Sequence, residues 1–451
     1  MKTSEIFKAY DVRGTYPNQI DERLARAIGS AFATFTKSPR VVIARDMRPS
    51  GVTLCEAFAE GVRCTGVEVL DIGLASTDFL YFAAGYLDAP GAMFTASHNP
   101  AQYNGIKMCL SGARPIGTET GLKEIETLTH TFYETPASGS AALLSTIDLS
   151  EVWVRHVLSF VDTTKLRALK VVADTANGMG GLIAPWIFRD LPFELEILFP
   201  ELDGTFPNHP ADPIQPENLR DLQPRGLNTP ADIGLAFDGD ADRVFLVDEK
   251  AQPIAGSTLT AIVAASMLQR QPGATILYNL ICSKAVPEVI KENGGLAVRT
   301  RVGHSFIKQE MLESGAIFGG EHSGHYYFAD NYRADSGIIT AIVVLELLSQ
   351  SGQALSELVK PFQRYSASGE VNTEVASPSN TVTALTAGAT QRGESVDLLD
   401  GLTVDHGTWW YNVRPSNTEP LLRLNVEAPT DVECAQRVLE VQELIRVAQG
   451  A

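Results

Sequence analysis

Short blocks of consecutive apolar residues recur at wide intervals along this chain, and each leads into a polar or acidic residue. The run at 41–44 leads to Asp46, the run at 169–173 to Asp174, and the run at 274–278 to Asn279. A loop and a stretch of helical character follow each run, and then a second apolar run appears. These second runs, at 92–94, 233–237 and 315–318, open into the loops that carry Ser97, Asp238 and Glu321. Short apolar strands alternating with helices predict α/β units, with functional loops at the carboxyl ends of strands. The pattern is weak in identity but occurs three times, which predicts three topologically related α/β domains around a central cleft. A helix is also predicted from about Asp21 to Thr36, with Asp21 as its N-cap and Leu24, Ile28 and Phe32 on one face.

The pattern changes after Tyr365. A span rich in Thr, Ser and Ala at 375–388 leads to predicted strands at 409–413 and 421–426. A final helix is predicted at 431–448, packing through Val432, Ala435, Val438, Leu439 and Leu444. This is the signature of a smaller C-terminal α+β domain. Loop-like composition at 136–140 and 249–256 sets further boundaries. The resulting domains are 1–142, 143–250, 251–366 and 367–451. An apolar helix at 336–349, with Asp335 as its candidate cap, closes the third domain.

Bulk properties narrow the function classes. A chain of 451 residues exceeds one ordinary core and suits about three or four domains. A net charge of -18 argues against general nucleic-acid binding, which needs basic surface. It leaves room for an anionic substrate in a local cationic pocket. Five cysteines without C-x-x-C spacing are expected to be reduced thiols. The first residues run straight into polar sequence, and the most apolar run, at 338–348, is too short to span a bilayer and contains Glu346. A cytoplasmic protein with no membrane partner is expected.

Four loops carry candidate chemistry. Ser97 and His98, in Thr95-Ala96-Ser97-His98-Asn99-Pro100, suit a serine that carries a phosphoryl group beside a histidine that moves its proton. The same residue types also build ordinary turns. Asp238, Asp240 and Asp242 alternate in an extended loop ending at Arg243, so three carboxylates can converge on one hard cation such as magnesium. An EF-hand is excluded by Arg243 at the required glycine position and by the apolar strands on either side. Glu321 and Ser323, in Gly320-Glu321-His322-Ser323-Gly324-His325, suit hydrogen bonds to neighbouring sugar hydroxyls, whereas the two histidines lack a third ligand for zinc. Arg414, Ser416, Asn417 and Thr418 supply the cation, hydroxyls and amide that anchor a phosphate, although a hairpin loop accounts for the same composition. Trp409 and Trp410 are expected in the core. His304 and Lys308, one helical turn apart, face either a cleft or solvent. His130, His156, His209 and His406 show no chemical partner in the sequence.

Taken together and in this order, the four loops resemble those of the α-D-phosphohexomutases, most closely the phosphomannomutase/phosphoglucomutase branch. The resemblance covers essentially the whole chain. It implies that Ser97 is the phosphorylated serine and that Asp238, Asp240 and Asp242, with Ser97, hold one Mg²⁺. It further implies that Glu321 and Ser323 grip the sugar and that the Arg414 loop anchors the phosphate that is not reacting. Tyr10 and Arg13 match the amino-terminal active-site motif. Lys107 matches a lysine that shares acid–base work with His98, and His304 and His325 match substrate-binding positions.

The implied reaction interconverts hexose 1-phosphate and hexose 6-phosphate, of mannose and also of glucose. A hexose 1,6-bisphosphate serves as intermediate and activator, and Arg243 helps to spread charge. The expected partners are sugar phosphates, and the expected assembly is a monomer or weak homodimer. A phosphoglucosamine mutase is the nearest alternative, although that branch typically has glutamine where His322 stands. A Mg²⁺-dependent sugar phosphatase and a catalytically silent binding homologue are the others. In one departure, several members carry a lysine two residues beyond the acid that Asn279 replaces; here Lys284 is the nearest lysine, with no assigned role.

Overall fold

Three parallel strands form the heart of the first sheet, because their residues are apolar on both faces and helices cover them. These strands, Glu68–Leu74, Arg40–Arg45 and Gly91–Phe94, lie side by side, and Leu144–Thr146 extends the row at one end. At the other end Tyr103–Leu110 turns back antiparallel to Gly91–Phe94, and Val12–Thr15 pairs antiparallel with it. The structure is a computed structural model that describes residues 3–223, 231–416 and 421–449. The helix Glu22–Thr36 forms as expected, with Asp21 accepting from the Leu24 N–H. It packs closely against the helix Gly51–Arg63. A methyl group on Gly29 would sit 2.2 Å from the Phe58 carbonyl oxygen, and one on Gly61 would sit 2.0 Å from that of Arg26.

The second sheet repeats the plan. Glu194–Leu198, Lys170–Asp174 and Ile233–Phe237 run parallel, and Val244–Asp248 folds back antiparallel to the last of them. The loop at 95–102 and the loop at 238–243 therefore occupy equivalent places. Each links the last parallel strand to an antiparallel partner.

The described contacts divide the chain into two compact units. One comprises Met1–Ala255, Lys308–Gly319 and Ser323–Leu358; the other comprises Gly256–Ile307, Gly320–His322 and Val359–Ala451. The first unit holds both sheets and the helix Gly337–Ser351, whose N-cap is Ser336 and not the expected Asp335. Ser336 accepts the Ile339 N–H at 3.1 Å through its hydroxyl, while Asp335 is occupied elsewhere.

In the second unit, Thr275–Asn279 pairs parallel with Leu296–Thr300. A separate antiparallel sheet orders its strands as Ser366–Glu374, Leu421–Ala428, Trp410–Pro415, Leu402–Asp405 and Ser395–Asp397. Trp409 and Trp410 are buried in this unit, as expected. The Thr/Ser/Ala-rich span is the helix Pro378–Gln391, stabilised by threonine hydroxyls that donate to carbonyls one turn back, as Thr381 does to Ser377 and Thr386 to Val382. The last helix, Asp431–Gln449, buries Cys434, Val441 and Ile445. The expected packing stripe is thus wrong in part, since Val432 and Leu439 are 71% and 68% exposed. No single helix among the described residues is long and apolar enough to cross a membrane. All five cysteines are free.

Candidate active site

The first unit gathers most of the candidate residues in one place. Ser97 follows the buried strand Gly91–Phe94 and takes φ = +49°, a left-handed conformation that non-glycine residues rarely adopt. Its N–H is accepted by Thr95 Oγ1 at 2.9 Å, and its hydroxyl donates to Asp238 Oδ2 at 2.7 Å. His98 Nδ1 lies 3.3 Å from the same hydroxyl. On the facing loop, the Ala241 N–H closes a tight turn onto the Asp238 carbonyl with Ala241 itself at φ = +59°. That turn gathers the carboxylates of Asp238, Asp240 and Asp242, each with an oxygen within 4.8 Å of the others.

Cations and a hydroxyl hold this acidic group in place. Lys107, from the strand Tyr103–Leu110, donates to Asp240 Oδ2 at 2.7 Å and to Asp242 Oδ2 at 2.5 Å. Thr77 Oγ1 donates to Asp240 Oδ2 at 2.6 Å. Arg243 donates to Asp238 through Nε at 3.0 Å and through its backbone N–H at 3.1 Å. Arg13 donates to Asn99 in the serine loop and to Asp11, each at 2.6 Å. Tyr10 is half-buried and near enough to act on the Arg13 charge.

The charges follow from these contacts. Burial, opposed by Arg243 and reinforced by Asp240 and Asp242, pushes the Asp238 carboxyl up to about 7. Burial works against the Lys107 ammonium, but Asp240 and Asp242 outweigh it and hold Lys107 well above the usual lysine range. Burial, joined by the Arg243 and Arg13 charges, pushes the His98 imidazole well below its usual value, so His98 is neutral near pH 7. Asp240 Oδ1 and Asp242 Oδ1 are buried without a hydrogen-bond donor. Clustered all-oxygen donors with lone pairs to spare fit a hard divalent cation.

His325 joins the same group. Its backbone bridges to Arg243, and its Nδ1 meets Asp335 Oδ2 at 2.8 Å and lies 3.8 Å from Asp242 Oδ1. Asp335 is itself held by Lys308, whose Nζ stands 2.7 Å from Oδ1 and 3.7 Å from the centre of the Tyr81 ring. Lys308 is thus buried, and a solvated face is excluded for it. Ser323 is half-buried in the same unit.

The second unit presents its own set. Glu321 is buried and accepts from Asn279 Nδ2 at 3.1 Å and from the Gly303 N–H at 3.3 Å. His304, half-buried, opens the helix His304–Ser314. Arg414 donates to Glu370 at 2.8 Å, and Arg423 Nη2 lies 3.5 Å from Ser416 Oγ. Asn417 and Thr418 lie outside the described residues. Lys284 is engaged with Asp405 Oδ1 and the Gly407 carbonyl, both at 2.7 Å.

Sequence reasoning missed Asp335, Thr77, Glu370 and Arg423, none of which sits in a recognisable motif. It also left four histidines without partners. His130 meets Thr3 Oγ1, His156 meets Asn331, His209 meets Asp174, and His406 stacks on Trp409.

The sequence matches four family models in chain order, described as phosphoglucomutase/phosphomannomutase, alpha/beta/alpha domain I over 4–135, domain II over 151–252, domain III over 255–365, and C-terminal domain over 370–444. It is 40% identical over 450 residues to a protein of Xanthomonas campestris pv. campestris named phosphohexose mutases, covering 98% of this chain and 100% of that one. The chain belongs to the phosphoglucomutase/phosphomannomutase family. A phosphomannomutase of Escherichia coli strain K12 is 38% identical over 440 residues, 96% of each chain. The X-ray structure of a phosphoglucomutase/phosphomannomutase family protein from Burkholderia thailandensis superposes with a TM-score of 0.90 at 32% identity, covering 99% of this chain and 98% of that one. This chain is therefore a phosphohexomutase of the phosphomannomutase/phosphoglucomutase type. Its three α/β domains and C-terminal domain are those of the family.

Proposed function

We propose that this phosphohexomutase interconverts the 1- and 6-phosphates of mannose, and of glucose, by passing a phosphoryl group through Ser97. The observation that carries this reading is the Ser97 hydroxyl itself, which is buried, conformationally constrained and placed 2.7 Å from Asp238 and 3.3 Å from His98. A serine hydroxyl needs such neighbours to exchange a phosphoryl group.

The cycle begins with the phosphorylated enzyme. A sugar hydroxyl attacks the phosphoryl group of phospho-Ser97; the P–Oγ bond breaks, a P–O bond to the sugar forms, and a hexose 1,6-bisphosphate results. His325, oriented by Asp335 at Nδ1, takes the proton of the attacking hydroxyl. The departing Ser97 oxygen regains a proton that neutral His98 relays from solvent. In the second half the Ser97 Oγ attacks the other phosphoryl group and gives up its proton through His98; the P–O bond to the sugar breaks, and the leaving sugar oxygen recovers its proton from His325. Asp238, Asp240 and Asp242, with Ser97, would hold Mg²⁺, which when bound supplies positive charge against the transferring phosphoryl group. Lys107, Arg13 and Arg243 bring further fixed positive charge, which preorganises the site for an anionic transition state.

Glu321 and Ser323 suit pairs of sugar hydroxyls, and His304 and Tyr10 each offer a further polar group suited to a sugar. Arg414 and Ser416, with Asn417 and Thr418, anchor the phosphate that is not reacting. Reading the sugar through hydroxyls other than that at C2 accommodates both mannose and glucose.

The test is turnover of mannose 1-phosphate and glucose 1-phosphate with Mg²⁺ and a trace of glucose 1,6-bisphosphate, for the wild type and Ser97→Ala. Hexose 6-phosphate should form without inorganic phosphate, and Ser97→Ala should be inactive while still binding sugar phosphate. Full activity in Ser97→Ala would overturn the serine assignment, and phosphate release alone would make the enzyme a phosphatase.

A further inference from the structure

Neither Asp238 nor His98 accounts for the left-handed backbone at Ser97, because both act on its side chain. The backbone of the loop is held from behind by Arg48, whose side chain is wholly shielded from water. Arg48 Nη2 donates to the Ser97 carbonyl at 2.8 Å and to the Asn99 carbonyl at 2.6 Å. Nη1 donates to the carbonyls of Pro100 and Tyr103, both at 2.9 Å. Three carbonyls of the serine loop and that of Tyr103, where the next strand begins, thus converge on a single guanidinium.

We infer that Arg48 is a positioning residue for phosphoryl transfer, holding the Ser97 loop in the form that aims its hydroxyl at Asp238; this rests on Ser97 being the phosphoryl carrier. Arg48 is well anchored for that task. Its Nε lies 3.3 Å from Asp46 Oδ2, and its N–H donates to Asp46 Oδ1 at 2.9 Å. The Asp46 N–H in turn donates to the Phe94 carbonyl at 2.9 Å, which ties the arginine to the strand that delivers the loop. On the other side the Phe206 ring centre lies 5.1 Å from the guanidinium carbon. The chain at Gly204 runs so close that a methyl group there would stand 2.6 Å from Arg48 Cα.

The Ser97 carbonyl also has no room to turn. A methyl group on Gly239 of the acidic loop would lie 2.4 Å from that oxygen. Arg48 therefore fixes the carbonyl of the residue whose hydroxyl Asp238 accepts, and together these contacts define the direction of Oγ. The planar fork of arginine reaches four acceptors at once, which the ammonium of lysine, with three donors on one atom, does not reproduce.

The test compares full-length wild type, Arg48→Lys, Arg48→Met and Ser97→Ala. Thermal unfolding reports folding, steady-state kinetics on mannose 1-phosphate separate kcat from KM, and intact mass after rapid mixing with glucose 1,6-bisphosphate gives the rate of Ser97 phosphorylation. Misplacing a reacting group by about 1 Å costs about 10²-fold in rate. Both Arg48 variants are expected to fold, to keep KM within about threefold, and to lose about 10²-fold in kcat and in phosphorylation rate, with lysine the milder change. The proposal is overturned if a folded variant phosphorylates Ser97 within about threefold of wild type or if the loss lies in KM alone. Failure of both variants to fold would also overturn it, by making Arg48 a purely structural residue. Activity retained by Ser97→Ala would instead sink the reading of Ser97. Inactive Ser97→Ala beside active Arg48 variants would remove Arg48 alone.

Discussion

Replacing Lys107 by methionine isolates the electrostatics of the acidic loop. The ammonium lies 2.7 Å from Asp240 and 2.5 Å from Asp242, with all three side chains almost wholly buried. Methionine keeps most of the side chain's volume and removes the positive charge beside Asp240 and Asp242. At an effective dielectric constant of about 20, charges about 4 Å apart interact by roughly 4 kcal/mol. Breaking a buried pair by removing one partner costs about 3–5 kcal/mol overall, because the surviving charges stay desolvated. The variant should lose stability of that order in a chelator. A divalent cation placed among the same oxygens should restore part of it, since the cation no longer competes with an ammonium.

The assay is thermal unfolding of both proteins in EDTA and across a Mg²⁺ titration. Stabilisation grows as RT ln(1 + [L]/Kd), so the titration yields an apparent affinity without any turnover. Lys107→Met should bind Mg²⁺ about tenfold more tightly, or about 1.4 kcal/mol, while losing activity. Equal or weaker Mg²⁺ dependence in the variant would refute the idea that Lys107 and the cation compete for the same carboxylates.

Two further substitutions probe separate contacts. Asp335→Asn leaves one acceptor oxygen, which the donor-only Lys308 holds, and turns an amide NH2 toward His325 Nδ1, reversing the tautomer. Then kcat should fall by about 10²–10⁴-fold with KM little changed, and unchanged kcat in a folded variant would exclude His325 as the base. His209 points Nδ1 at the Pro210 carbonyl at 2.9 Å and Nε2 at the Asp174 carboxylate at 3.1 Å, two acceptors that only the imidazolium can satisfy together. Burial opposes that charge, but Asp174 and the Pro210 carbonyl outweigh it and raise the histidine above its usual value. A raised folded-state value means the stabilisation is complete below about pH 6.5 and is lost as pH rises through the folded value. The stability advantage of wild type over His209→Gln should therefore narrow with rising pH in thermal melts, and a constant gap would contradict the assignment.

The parallel strands were legible because their residues are apolar without interruption and stop at polar residues. The signal failed where side chains fall silent. The strand Phe318–Gly320 was expected three residues too early, since Gly319 and Gly320 carry no apolar side chain to mark it. The helix Pro378–Gln391 was hidden by its threonines, whose hydroxyls are satisfied by the helix itself. The last helix offers two apolar stripes, and only burial decides for Cys434, Val441 and Ile445.

Site residues divided along similar lines. Ser97 and His98 are neighbours in sequence, and the three aspartates alternate within one loop, so spacing displays the chemistry inside each loop, though the two loops lie 141 positions apart. Thr77 and Arg48 act across long separations: Thr77 lies 163 positions from Asp240, and Arg48 lies 49 from Ser97; Asp335 lies 10 from His325 but beyond its loop. Nothing local distinguishes them from a cap, a turn hydroxyl or a surface arginine.

The equivalence of the two sheets gives this arrangement a physical rationale. The serine loop and the acidic loop each leave a parallel strand and return antiparallel, so each is held at both ends by strand pairing. They meet backbone to backbone where Gly239 approaches the Ser97 carbonyl, a distance no side chain at 239 would permit. Ser97 and Ala241 both adopt left-handed backbone near that meeting point. Such strain persists only where the surroundings over-determine it. Here the surroundings are two anchored hairpin loops, Arg48 behind one and Lys107 bridging to the other. On the proposed assignment of Ser97, the dipoles and charges that face the phosphoryl group are oriented before it arrives, and such preorganisation accounts for most of what a protein contributes to phosphoryl transfer.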